Sequence, residues 1–220
     1  MSIDLRAVRR AFGSYRGAPV GARAFVAARY VVAPMGPIAA EFEGLTGTVL
    51  SLGSGLSMLE RYVAELEPNL RFEGVDLDPV KVELIARTHH LSPRVSLRQG
   101  DATQLDGLTG GRLYDAVLVC DAMHHFPADV HADVVRSVAE VVRPGGVVII
   151  KDLDRGPAWK YHWNRIHDRI VAGPEPIHCR PPAEMASLME KHGMEVERAD
   201  RIDGPLTPYA HYVIRARKPA

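Results

Sequence analysis

The chain predicts an α/β fold, a doubly wound parallel sheet between helices, on three observations. Thr48-Val-Leu-Ser-Leu52 is a short, nearly continuous apolar run, the pattern of a strand buried on both faces, and it passes directly into Gly53-Ser54-Gly55 and a helix. A second strand, Arg71-Phe-Glu-Gly-Val-Asp76, ends in a carboxylate a little over twenty residues beyond the glycines. A third, Val95-Ser-Leu-Arg-Gln99, runs into Gly100-Asp101-Ala102. Strands alternating with helices place such ends along one edge of the sheet, where open α/β folds bind their ligands.

Taken in order, residues 1–44 read as helices over 3–12, 20–32 and 36–42, broken at Gly13 and at Gly17-Ala-Pro19. Arg6, Arg9, Arg10, Arg16, Arg23 and Arg29 are interleaved there with Phe12, Tyr15, Phe25 and Tyr30, against one acid, Asp4, in the first thirty residues. Such a segment is either a solvated helical face, or a cap over a substrate or a surface for an anionic lipid headgroup. Gly53 and Gly55 permit a sharp turn and a close ligand, although purely structural turns use the same residues. The helix after them carries Leu59, Val63 and Leu66 on one face and presents unpaired N–H groups at its start. Asp78-Pro79 opens the next helix, with Asp78 as its N-cap, which leaves Asp76 as the better ribose ligand.

Strand four, 116–120, delivers Asp121-Ala-Met-His-His125 to the carboxyl edge. An imidazole titrates near neutral pH, so His124 and His125 are candidates to accept a proton, together with Asp152 after strand five. The helix over 129–142 has an apolar stripe of Val130, Val134, Val138 and Val141; Pro144-Gly-Gly146 ends it, and 147–150 is strand five. As a helix, 159–168 places Trp159, Trp163 and Ile166 on one side and Lys160, Asn164, His167 and Asp168 on another; tryptophan on a helix is usually core. A helix over 182–192, a stop at Gly193, and strands over 194–201 and 211–217 close the chain.

At 220 residues and 46% hydrophobic, the chain can bury one full core, and a single domain is expected. Zero formal net charge calls for no polyanion, so nucleic acid is not expected as a partner. Cys120 and Cys179 lie far apart, which argues for reduced thiols and a cytoplasmic setting. No apolar run approaches the roughly 20 residues of a membrane span, and no signal peptide is visible.

Five blocks in order, Leu52-Gly-Ser-Gly55, Gly74-Val-Asp76, Gly100-Asp-Ala102, the stretch from Tyr114 to Phe126, and Arg143-Pro-Gly-Gly146, resemble the class I S-adenosylmethionine (SAM)-dependent methyltransferases over residues 45 to 152. The resemblance implies a Rossmann-like sheet of seven strands, mostly parallel with an antiparallel last strand. It also implies a helical cap over 1–44, a core over 45–220 and a helical insertion at about 155–180. The cofactor would be S-adenosyl-L-methionine and the product S-adenosyl-L-homocysteine. Ser51, Gly53, Ser54 and Gly55 would hold the methionine end, Asp76 the ribose, and Asp101 with Ala102 the adenine amino edge, with Leu77 and Cys120 completing the cofactor set. Tyr15 would serve as a lid residue, and Trp163 and His167 as acceptor contacts. Two positions depart from the pattern: Ser51 stands where an acid is usual, and Ser57 replaces a frequent third glycine.

The implied reaction is methyl transfer to oxygen or carbon of a phenolic, polyketide-like or lipid-linked small molecule. Adenine or glutamine N-methylation is disfavoured, because Cys120-Asp-Ala-Met123 stands where Asn/Asp-Pro-Pro-Tyr would be. A SAM-binding scaffold without chemistry and an NAD(P)-dependent oxidoreductase are the alternatives. Asp121, Asp152 and Asn164 resemble the hard-cation ligands of metal-dependent catechol-type enzymes, but the adjacent Asp-Asn pair usual there is missing and the ten histidines lack ligand spacing, so no metal is expected.

Overall fold

The computed structural model describes residues 3–171, 173, 176–204 and 207–220. Seven strands form one mostly parallel sheet in the order β3-β2-β1-β4-β5-β7-β6, with β1 at Gly47–Leu52, β2 at Leu70–Asp76, β3 at Val95–Gln99, β4 at Tyr114–Cys120, β5 at Val142–Leu153, β6 at Glu195–Arg201 and β7 at His211–Arg217. The chain divides into two compact units, Met1–Gln104 and Leu105–Ala220.

In the first unit β1 pairs parallel with β2, and β2 parallel with β3. Val49, Leu50 and Leu52 are fully buried; each contributes about 1.5–3 kcal/mol by leaving water, and together they make β1 the fixed element of its unit. Helices α1 (Leu5–Gly13), α2 (Val20–Val32) and α3 (Met35–Ala39) precede β1. Asp4 caps α1 through the N–H groups of Arg6 and Ala7, and Asp78 caps α5 (Pro79–Arg87) through that of Val80. Between β1 and β2, α4 (Met58–Leu66) is buried on more than the expected stripe, with Glu60 and Arg61 inside along with Leu59 and Val63. The reason is tertiary: α1 and α3 pack against α4, as do β2 and β3, so the helix has no face left for water.

The second unit contains α6 (Leu105–Thr109), α7 (His131–Val141), α8 (Ala158–Val171) and α9 (Pro182–Lys191). β4 and β5 are parallel, while β7 runs antiparallel to both β5 and β6. β5 starts earlier than the expected residue 147. Pairing jumps from Tyr114↔Val142 to Ala116↔Val147, so residues 143–146 form an irregularity inside a strand instead of ending a helix. Its backbone is satisfied by the chain's end: Gly145 N–H donates to Lys218 O, and Lys218 N–H to Gly146 O. Lys218 Nζ also donates to the carbonyls of Ala139 and Val142, capping α7. α8 occupies much of the insertion expected at about 155–180, of which residues 172, 174 and 175 lie outside the described residues. No described helix is long and apolar enough to cross a membrane.

Candidate active site

In the first unit β1 ends in a turn whose Gly53 and Gly55 have φ of 66° and 55°, a region that favours glycine. Gly53 and Ser54 N–H both donate to Val75 O (2.9 and 3.1 Å), and Gly55 N–H donates to Asp76 Oδ2 (2.7 Å). Asp76 Oδ1 accepts from Asp78 N–H at 3.0 Å and faces Lys81 Nζ at 3.5 Å. The expected ribose ligand is thus buried and locked to the glycine turn.

Beneath that turn lies a second carboxylate. Ser51 Oγ (2.5 Å) and Ser54 Oγ (2.8 Å) both donate to Glu60 Oε1, and Ser54 and Ser57 share a hydroxyl hydrogen bond of 2.9 Å. Glu60 is 3% exposed. Burial pushes its carboxyl above the usual carboxylate range, against the opposing pull of Ser51, its own backbone N–H, Ser54 and Arg61. The arrangement requires a glycine on the neighbouring strand: a Cβ on Gly74 would sit 2.7 Å from Ser54 Oγ and 2.8 Å from both Ser54 Cβ and Leu97 Cδ1.

The N-terminal segment holds this loop from behind. Tyr15 OH donates to Leu56 O (2.6 Å), Tyr30 OH to Met58 O (2.9 Å), and Arg61 lies 4.5 Å over the Tyr15 ring while donating to Ser14 O, Ser14 Oγ and Thr88 Oγ1. The expected lid role for Tyr15 is therefore corrected. It is 0% exposed and fastened to the loop by hydroxyl and ring, with no surface to offer an acceptor. Burial pushes the hydroxyls of Tyr15 and Tyr30 well above the ordinary phenol value, so both stay protonated donors. Leu5, Val20, Phe25, Val31 and Val32 on the same helices are exposed. Of the adenine residues, Ala102 is buried, while Asp101 Oδ1 accepts from Thr103 N–H (2.9 Å) and Thr103 Oγ1 (2.7 Å), a local turn. Leu77, next to Asp76, is exposed.

In the second unit β4 ends at the half-buried thiol of Cys120, followed by Asp121 at φ 52° with its carboxylate on the buried Lys151 ammonium. A short 3-10 turn, Met123–His125, comes next. His124 is buried; its Nδ1 meets Asp152 Oδ1 and its N–H donates to Asp152 Oδ2 at 3.1 Å. Asp152, 1% exposed, also accepts from Leu153 N–H, and His124 O accepts from His178 N–H at 2.7 Å. His125 is exposed, its ring centroid 4.2 Å from that of His124. The structure thus joins His124 and Asp152, proposed separately from sequence, into one pair.

α8 departs from the expectation that its tryptophans are core: Trp159 is 53% and Trp163 44% exposed, with Ile166 and Ile170 also outside. The face turned inward carries Lys160, ion-paired to Asp203 and bonded to Gly204 O, and Asn164, whose buried amide has no hydrogen-bond partner among the described residues. His167 packs edge-on against Tyr209 at 5.2 Å. Among the described residues no group of three or more His, Cys, Asp or Glu is placed to hold a metal ion. Sequence reasoning missed Glu60, since a glutamate off the apolar stripe of a helix reads as solvated. Its available signal was the trio Ser51, Ser54 and Ser57, whose hydroxyls need an acceptor.

The fold is shared with solved methyltransferases. A family model described as a methyltransferase domain matches residues 49–146, and the chain belongs to the class I SAM-dependent methyltransferase family. It is similar to the ubiquinone biosynthesis O-methyltransferase of Xanthomonas axonopodis pv. citri, 30% identical over 174 residues that cover 73% of this chain and 67% of that one. It is also similar to the erythromycin 3''-O-methyltransferase of Saccharopolyspora erythraea, 31% identical over 109 residues, 48% of this chain but 34% of that protein. The chain thus spans about a third to a half of the length of several curated relatives it matches. Among solved structures, an O-methyltransferase family protein from Burkholderia thailandensis shares the fold at TM-score 0.69 and 19% identity, covering 84% of this chain and 55% of that one.

Proposed function

We propose that the chain is an enzyme that transfers a methyl group from SAM to a hydroxyl oxygen of a small-molecule acceptor. The observation that carries this reading is the buried pair of His124, in the turn after β4, with Asp152 near the end of β5. Family membership supports SAM as the cofactor, and the residues of the first unit fit it. A carboxylate (Asp76) stands at the end of β2 for a diol, and Gly53 and Gly55 leave the turn open for close backbone approach. When bound, SAM supplies an electrophilic methyl on a sulfonium. The protein's own work is to orient the acceptor, exclude water and take the hydroxyl proton.

His124 suits that last task. With Nδ1 on Asp152, the neutral imidazole keeps its proton there and Nε2 becomes the base, while the carboxylate stabilises the imidazolium that forms. Oxygen is favoured over carbon because a positioned imidazole–carboxylate pair matches a hydroxyl proton, and because the curated relatives above are named O-methyltransferases. Trp163 and His167 on α8 are proposed as acceptor contacts, the exposed indole offering an apolar plate for a ring.

Incubating the protein with SAM and a library of phenols, quinols and sugar hydroxyls, read by mass gain of one methylene, tests the reading. Formation of S-adenosylhomocysteine together with an O-methylated product is expected. Stabilisation by SAM with no transfer to any acceptor would instead favour a scaffold, and stabilisation by NADH alone an oxidoreductase.

A further inference from the structure

The amino-acid end of SAM carries an ammonium, which can only donate hydrogen bonds, so whatever holds it must supply acceptors, and a negative charge behind them strengthens the hold. Ser51 at the end of β1 brings no charge. The carboxylate of Asp76 already receives the N–H groups of Gly55 and Asp78 and faces Lys81. Glu60 differs. It is buried under the turn, and the cation beside it, Arg61, donates through its two terminal nitrogens to Ser14 and Thr88, its Nε having no hydrogen-bond partner among the described residues. The other titratable groups near it are the hydroxyls of Tyr15 and Tyr30, both directed to backbone carbonyls.

We propose that Glu60 is the acid of the cofactor site, displaced from β1 to α4, and that it acts on the ammonium through the hydroxyls of Ser51 and Ser54. This rests on the SAM reading above. A serine hydroxyl has one proton. Ser51 and Ser54 both give theirs to Glu60 Oε1, so Ser57 must donate to Ser54, and all three protons run toward the buried carboxylate. The serine oxygens are thereby left as acceptors, polarised by the charge behind them. The absent Cβ at Gly74 preserves the position of Ser54 that this relay needs. Glu60 is a positioning residue: it orients and charges the groups that touch the ligand. Because burial raises the Glu60 carboxyl and a bound ammonium favours its ionised form, ligand affinity should climb with pH as the carboxyl ionises and then level off.

The test is calorimetry of Glu60→Gln with two ligands. S-Adenosylhomocysteine has the ammonium, whereas 5′-methylthioadenosine keeps the adenosine and the thioether but lacks the amino-acid end. The variant should bind S-adenosylhomocysteine about tenfold or more weakly, the size of a lost charge-assisted interaction, and methylthioadenosine as the parent does. The parent's affinity for S-adenosylhomocysteine should rise as pH climbs above the ordinary carboxylate range and then level off, a rise absent in the variant. Adding Ser51→Asp to Glu60→Gln, which returns an acid to β1, should restore binding. If Glu60→Gln does not fold, Ser51→Ala carries the same two-ligand comparison. Equal loss for both ligands, or no loss for S-adenosylhomocysteine, overturns the inference while leaving the methyltransferase reading in place. Failure of the parent to bind either ligand overturns both.

Discussion

The turn after β1 and the helix after β5 serve opposite ends of the proposed reaction and are built in opposite ways. At the turn, hydroxyls, carboxylates and backbone N–H groups are matched to one another inside the protein: Ser51 and Ser54 to Glu60, Ser57 to Ser54, Gly55 to Asp76, Tyr15 and Tyr30 to loop carbonyls. On α8 the large side chains Trp159, Trp163, Ile166 and Ile170 lie outside, and the buried Asn164 amide is left unmatched. A buried polar group is costly unless paired, so the completed network at the turn tolerates little change, whereas an exposed indole can be altered at small cost to folding. The contrast suits a turn that takes one invariant cofactor and a helix that meets a variable acceptor.

The sharpest break in that comparison comes from His124 and Asp152, which are proposed for the acceptor's chemistry yet are buried and matched like the turn. With an acceptor from the library screen, His124→Ala should cut turnover by about 100-fold or more, the usual worth of a positioned base, while S-adenosylhomocysteine affinity measured by calorimetry holds. Asp152→Asn should fall in the same direction by a smaller factor; unchanged kcat in both variants would remove the pair from the chemistry. Next in size is Gly74→Ala. The added Cβ meets Ser54 within 2.8 Å, so a destabilisation of about 1–3 kcal/mol in urea unfolding is expected, together with weakened S-adenosylhomocysteine binding.

Both expectations draw on a site that was partly legible beforehand. The glycine turn, the carboxylate ending β2 and the histidines after β4 stand at strand ends, which periodicity locates. The joining of His124 to Asp152, 28 residues apart in sequence, came from the parallel pairing of β4 with β5, which no local pattern encodes.

For α8 the effect should be smaller and confined to the acceptor. Trp163→Ala is expected to leave stability within about 0.5 kcal/mol, since the side chain is exposed, and to raise the acceptor KM about tenfold with kcat held. A fall in melting temperature with no change in KM would make the helix structural.

The smallest effect is a pH dependence. Burial holds the His131 imidazole below its ordinary value of 6.5, and Arg180 Nε donates to its Nδ1, so the folded protein takes up that proton less readily than the unfolded chain. The unfolded chain takes up that proton as pH falls through 6.5, so this group's contribution to stability is present above that pH and lost below it. His131→Gln should therefore show a shallower decline in urea midpoint between about pH 7 and about pH 5.5 than the parent chain.

Sequence alone determined where most strands run, though not the early start of β5 or the irregularity at 143–146 inside it, and the order of blocks that marks the family, because hydrophobic period, helix caps and glycine turns are local and act over a few residues. It also placed α2 and β7 at their observed limits and Asp78 at its cap. Tertiary structure alone decided which polar groups meet: Ser51 with Glu60, Tyr15 with Leu56 O, His124 with Asp152, Lys218 with the end of α7. It likewise turned Tyr15 inward and the tryptophans of α8 outward, against their local reading. A side chain's burial depends on what packs over it, and a buried hydrogen-bonding group takes the partner that folding brings within reach, however far away in sequence that partner lies.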